Sequence, residues 1–385
     1  MKILFVTPYY YPEFKFGGPP KRIHALSVGL AGGGHDVRVV SFDSEQPKAH
    51  DMRTYDNIPI QYVPWTGRAM RQVPIRLREL RTEIGNADIV HCYGLYNLLC
   101  PAAAFLASRL DKPFVIEPMG MFTPRLRNLV AKRFYNIFFT RWMFRNAGAV
   151  IATSGLEADD LIVGGSSKKV VVRHNGIDLK EFASLPPRYA ARKKWNIGEG
   201  EKLVVYVGRI SAKKNLRELV QAFAKLDRND VRLLIAGPVS EPVYCRLVEK
   251  HIRTRARYQS VRLVPAVYGD DLKSLLAAAD LFVLPSLNEN FGNAAGEAIA
   301  AGVPVLVTKT CGIAPLIHRR AGLSIPLGVE HLTEGLLTML DPELSKALTS
   351  ESERVKQELS WAHPLRQTEE LYERVIQKGK RGTGR

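Results

Sequence analysis

The chain has 385 residues, 46% hydrophobic and 24% charged, with four cysteines and a net charge of +17. That length exceeds the roughly 250–300 residues a single core sustains, so two domains are expected; the composition excludes a disordered or fibrous protein. Cys92, Cys100, Cys245 and Cys311 lack metal-ligand spacing, which favours free thiols in a reducing compartment.

The opening MKILFVTPYYYP places one Lys before a short apolar run that ends in a Tyr/Pro cluster. It lacks a small-residue cleavage site and reads as a buried strand. Leu95–Leu110 is broken by Asn97 and Pro101 and falls short of the roughly 20 residues that span a bilayer. A cytoplasmic location is expected.

Nearly all-apolar runs at Ile3–Thr7, Asp36–Ser41, Ile89–Tyr93, Phe114–Glu117 and Ala149–Ala152 read as parallel strands buried on both faces. Amphipathic stretches separate them, among them Pro20–Ala31, which ends in the turn GGGH. The pattern restarts with Leu203–Val207, Val231–Ala236, Val261–Val264, Leu281–Pro285 and Val303–Thr308. Between the two sets, Arg173–Trp195 carries an Asn-Gly turn and a Pro-Pro pair and reads as a linker. A final helix is predicted over Trp361–Gln377, before a basic, Gly-rich tail. The fold class is therefore α/β, with two doubly wound, Rossmann-like domains whose ligand crevices lie at the carboxyl ends of the strands.

Three segments suit phosphate and sugar chemistry. Gly17 and Gly18 follow the first strand and precede a helix, a place for either a phosphate loop or a plain tight turn. In YVGRISAKKN, Arg209 and Lys214 follow a buried strand, where two cations suit a departing diphosphate or form a solvated cluster. In PSLNENFGNAAGEAIAAGVPV, Glu289 lies in a loop and Glu297 two helical turns later. The first carboxylate can accept from sugar hydroxyls and the second from a ribose diol, with helix-start amides near Gly292–Ala294 between them for a phosphate.

Together the Gly17-Gly18 loop, ADIVHCYG, RHNGIDLKEF, VGRISAKKN and NENFGNAAGEA resemble the family 4 retaining glycosyltransferases of the GT-B fold, most nearly bacterial enzymes of surface polysaccharide or lipopolysaccharide synthesis. The resemblance implies two domains facing across a cleft: residues 1–180 with 363–385 for the acceptor, and residues 181–362 for the donor. It implies that Arg209 and Lys214 hold the donor diphosphate, Glu289 the donor sugar and Glu297 the ribose. Gly17, Gly18, Asn290, Phe291, Gly292 and Asn293 would complete the donor cradle, and the loop near Pro265–Tyr268, Val267 included, would touch the base. His91 and Met119 become candidates for the acceptor side. Met119 stands where many relatives carry His or Arg, and Cys311 and Pro315 interrupt another family pattern. The implied partners are a nucleotide-sugar donor, UDP- or GDP-linked, and a glycan or lipid-linked acceptor, with neither metal nor further cofactor. A sugar-nucleotide epimerase would use the same cradle.

Charge adds one more expectation. Between Trp65 and Ala147 there are 13 Lys/Arg and 5 Asp/Glu, a net +8, and Arg125–Arg145 mixes six basic residues with Phe, Tyr and Trp. That composition suits an interfacial helix on an anionic membrane surface, at the inner face of the cytoplasmic membrane, as well as a helix buried in the first domain. A basic nucleic-acid-binding protein would share the charge, but no recognition motif accompanies it, so no nucleic-acid partner is expected.

Overall fold

The computed structural model describes residues 1–13, 18–67, 72–122, 129–163, 169–255 and 260–382. The chain divides into two compact units, Met1–Gly176 with Trp361–Arg385, and Ile177–Ser360.

In the first unit the strands are β1 (Lys2–Thr7), β2 (Asp36–Ser41), β3 (Met52–Tyr55), β4 (Ile58–Tyr62), β5 (Trp65–Thr66), β6 (Val73–Pro74), β7 (Ile89–Tyr93), β8 (Phe114–Glu117), β9 (Ala149–Ala152) and β10 (Val170–Val172). Apart from the small β5–β6 ribbon they form one sheet in the order β10-β9-β8-β7-β1-β2-β4-β3. Neighbours are parallel except for the β3–β4 hairpin. Alternation along β1 feeds two cores. Leu4 and Val6 join Val40, Val90 and Ile116 on one face, while Ile3 and Phe5 join Val39, Val115 and Ile151 on the other. Both faces are covered, which is why the strands read as unbroken apolar runs.

The C-terminal helix Ala362–Gly382 belongs to this unit and adds Leu371, Tyr372 and Val375 to the second of these cores. Its approach leaves no room for a side chain at Gly148, where a Cβ would lie 2.4 Å from Val375 Cγ1.

The second unit contains β11 (Lys202–Val207), β12 (Val231–Ala236), β13 (Val261–Val264), β14 (Leu281–Leu284), β15 (Val305–Thr308) and β16 (Gly322–Ile325). Their order is β13-β12-β11-β14-β15-β16, with every pair parallel. The chain builds outward from β11 to β13, then crosses back and builds the other way from β14. The loops leaving β11 and β14 therefore flank the point where the strand order reverses, the place at which doubly wound sheets bind ligands.

Strands are found at all ten of the apolar runs. The β3–β4 hairpin, β10 and β16 were not anticipated: the first is half polar, β10 is only three residues long, and β16, GLSI, has Gly and Ser at two of its four positions. The expected linker needs correction. Arg173 and Asn175 are buried, Ile177, Phe182 and Ala191 enter the second unit's core, and Arg188–Trp195 is a helix. Apolar residues spaced through the segment override its turn signals.

Candidate active site

The loop after β11 is fixed before it reaches its cations. Tyr206, fully buried, donates its hydroxyl to the Arg209 carbonyl at 3.0 Å. Ile210 N–H donates to the Pro238 carbonyl at 2.9 Å, tying the loop to the one after β12. This close passage requires glycine at 237, where a Cβ would lie 1.8 Å from the Gly208 oxygen. A single turn at Ala212–Lys214 then ends at Asn215, whose φ of +57° starts the helix Leu216–Ala224. Arg209 is exposed and Lys214 half-buried.

The loop after β14 is pinned on its other side to the loop after β15. Glu289 N–H donates to the Thr310 carbonyl and Gly312 N–H to the Glu289 carbonyl, both at 3.0 Å. Ile313 N–H donates to the Phe291 carbonyl at 2.7 Å. Thr308 and Thr310 hydroxyls both donate to the Ser286 carbonyl at 2.6 Å. Gly292, with φ of +112° and Ile313 and Leu284 packed against the position a Cβ would take, turns the chain into the helix Asn293–Ala300.

These loops bring Lys214 and Glu289 together as an ion pair, with Ser286 Oγ 3.5 Å from the same carboxylate. Leu287 N–H donates to the Lys213 carbonyl at 2.9 Å and holds the two loops in register. Burial pushes the Glu289 carboxyl up, but the Lys214, Lys213 and Arg209 cations outweigh it and hold the group below its ordinary range. It stays ionised at neutral pH.

Arg209, Lys214, Glu289, Asn290, Gly292 and Asn293 thus lie on two neighbouring strand ends, and Glu297 lies farther along the helix, half-buried. Two donor-side residues turn their side chains inward. The Phe291 side chain is 1% exposed and belongs to the core. Val267, in the loop after β13, is likewise a core side chain, while its neighbour Tyr268 is 62% exposed. Both apolar side chains gain more from the core than from a solvated loop surface.

In the first unit, Gly17 lies outside the described residues, and Gly18 is the exposed first residue of the helix Gly18–Gly32. His91 does not line a cleft. It is fully buried, stacks on Tyr93 with ring centroids 3.9 Å apart, and its Nδ1 lies 2.6 Å from the Tyr372 hydroxyl. Burial, with the Arg173 and Arg22 cations, holds its pKa well below the usual value, so the ring is neutral. Met119 is half-buried with φ of +57°, and its Cε is 3.2 Å from where a Gly94 Cβ would be. Gly120 N–H donates to the Glu157 carboxylate at 2.5 Å, which anchors this loop.

A buried ion cluster in the same unit was not anticipated. Glu117, fully buried at the end of β8, pairs with Arg22 and, at 2.6 Å, with Arg173. Arg22 also donates to Asn175 Oδ1 at 2.5 Å. One carboxylate thereby joins the helix Gly18–Gly32, the end of β8 and the segment after β10. Glu117 ends an otherwise apolar strand, and that polar residue within IEPMGMF was the available signal.

Two family models match the chain in tandem: Glycosyltransferase Family 4 over residues 16–181 and Glycosyl transferases group 1 over residues 188–355. The chain belongs to the family 4 glycosyltransferases. It is a hexosyltransferase-type enzyme, and its two Rossmann-like units are those of the GT-B fold. Among curated relatives, a glycogen synthase of Mycobacterium tuberculosis is 26% identical over 97% of this chain and 94% of its own. Among solved structures, Anabaena HepE in complex with UDP aligns with a TM-score of 0.78 at 19% identity, over 96% of this chain and 99% of that one. WaaG, a glycosyltransferase involved in lipopolysaccharide biosynthesis, aligns over all of both chains with a TM-score of 0.63 at 21% identity.

Proposed function

We propose that this glycosyltransferase is a retaining enzyme that moves a sugar from a UDP- or GDP-linked donor to a hydroxyl of a glycan or lipid-linked acceptor, in surface polysaccharide or lipopolysaccharide synthesis. The observation that carries the reading is the meeting of Arg209, Lys214 and Glu289 at the strand-order reversal of the second unit, beside the first turn of the helix Asn293–Ala300. Arg209 and Lys214 stabilise the diphosphate as charge grows on it. Backbone N–H groups at the helix start favour the phosphates, and in the first unit Gly18 opens a second helix start of the same kind. Glu289 accepts from sugar hydroxyls and Glu297 from the ribose diol. The anomeric C–O bond to phosphate breaks and one to the acceptor oxygen forms on the same face. The departing phosphate oxygen receives the acceptor's proton. The two cations take the part that a metal plays elsewhere, so turnover needs neither metal nor cofactor. UDP in the Anabaena relative supports a nucleotide donor, and the glycogen synthase and WaaG support a glycan or lipopolysaccharide acceptor.

The enzyme works in the cytoplasm, at the membrane face. No helix among the described residues is long and apolar enough to cross a membrane. Instead, the continuous helical stretch from Leu129 to Asn146 exposes Val130, Phe134, Ile137 and Phe138, each more than half accessible. Residues 125–128 of the basic-aromatic segment lie outside the described residues. Arg133, Arg141 and Arg145 are exposed along the same stretch. An apolar stripe flanked by cations fits an anionic bilayer surface.

A thermal-shift screen of UDP-, GDP-, ADP- and dTDP-sugars tests the donor reading, followed by NMR of the product anomer and turnover in excess EDTA. Stabilisation by one donor, a retained anomer and full activity after chelation are expected. No shift with any donor, an inverted product or a strict Mg²⁺ requirement would each overturn the corresponding part.

A further inference from the structure

We infer that Glu289 acts as an electrostatic counterweight to Lys214, occupying the lysine in the empty site and making it favour a sugar-loaded donor over the spent nucleoside diphosphate. The inference rests on the donor-site reading above and assigns the carboxylate a second task there.

The geometry leaves Glu289 no retreat. Its backbone is bonded to the loop after β15 through both its N–H and its carbonyl, so its Cα is fixed within side-chain reach of Lys214. The Lys214 and Glu289 side chains are only 13% and 20% exposed. Solvent and salt therefore screen this pair less than one on the open surface. The carboxylate is ionised, because the cations of Lys214, Lys213 and Arg209 outweigh its burial. A diphosphate that engages Lys214 must share it with this anion or displace it.

The two ligands differ in what they offer the displaced carboxylate. A sugar-loaded donor brings hydroxyl hydrogens that Glu289 can accept, replacing the lysine's donors. Transfer breaks the anomeric C–O bond and leaves its electron pair on phosphate; once the accepted proton passes to solvent, the product carries one more negative charge. That product has no hydroxyl hydrogens in the sugar position. It meets Glu289 as anion against anion, which favours release. The same arrangement reduces occupation of the resting site by free phosphates.

Isothermal titration of wild type and Glu289→Gln with inorganic pyrophosphate, UDP, GDP, UDP-glucose and GDP-mannose tests the inference. Removing one like charge at this distance in a partly buried site is expected to tighten pyrophosphate, and whichever of UDP and GDP binds, by about tenfold. The matching sugar conjugate should gain less than about threefold or weaken, because a hydroxyl acceptor is lost at the same time. Glu289→Ala serves as a second variant for the bare diphosphates, with circular dichroism as the folding control for both. If wild type binds UDP or GDP and neither substitution tightens it or pyrophosphate, the counterweight is wrong and the donor site stands. If no probe binds to any of the three proteins, the donor-site reading falls and the counterweight with it.

Discussion

Lys214 and Glu289 are 75 positions apart in the chain, yet their side chains form an ion pair because β11 and β14 are hydrogen-bonded neighbours and each residue lies in the loop leaving its strand. Half of the pair is the cation needed by a leaving diphosphate; the other half is a carboxylate suited to sugar hydroxyls. Their contact makes the two roles interdependent.

Replacing either cation should therefore be costly. Lys214→Ala and Arg209→Ala are each expected to lower turnover by about a hundredfold or more, as loss of charge stabilisation at a leaving group does. Steady-state kinetics with the donor found in the screen measures this. Near-normal turnover in both folded variants would remove these residues from the mechanism.

Glu117 should matter for stability more than for nucleotide binding. Glu117→Gln leaves the Arg22 and Arg173 guanidiniums buried without their anion, and breaking such a pair costs about 3–5 kcal/mol. Denaturant unfolding should show that loss, while UDP or GDP affinity, carried mainly by Arg209, Lys214 and Glu297 of the second unit, should fall by no more than about threefold, since Glu117 reaches the donor only through the Arg22 helix. A stability change below about 1 kcal/mol would mean that the cluster is compensated by solvent.

All four cysteines are buried, and burial, aided by the nearby Glu289 carboxylate, pushes the Cys311 thiol up to about 11. Deprotonation favours thiol attack, so Cys311 remains a protected thiol through pH 9. Ellman's reagent at pH 8 should titrate the thiols slowly in the native protein and rapidly in guanidinium chloride. Fast modification mapped to Cys311 would show that the loop after β15 opens readily.

Membrane contact has its own readout. Phe134 and Phe138 stack with ring centroids 6.5 Å apart and are 58% and 67% exposed. Co-sedimentation with phosphatidylglycerol vesicles should exceed that with phosphatidylcholine vesicles and fall as salt rises. Phe134→Ser with Phe138→Ser should weaken it by about tenfold or more, given the apolar area withdrawn from the bilayer. Binding that ignores lipid charge, or survives the double substitution unchanged, would place the interaction elsewhere.

The sequence by itself determined the two successive sets of parallel strands, because a strand buried on both faces must be apolar along its whole length. It also placed Arg209, Lys214 and Glu289 just beyond strand ends, where doubly wound sheets bind ligands. It could not determine which loops become neighbours, since that follows from the order β13-β12-β11-β14-β15-β16, set by long-range pairing. Only tertiary structure therefore joined Lys214 to Glu289. It also put His91 beneath the C-terminal helix, where its Nδ1 shares a hydrogen bond with the Tyr372 hydroxyl, 281 positions away, in place of one with water. Phe291 and Val267 went into the core for the same reason: local pattern marks a residue as near a strand end, but only packing decides which way its side chain turns.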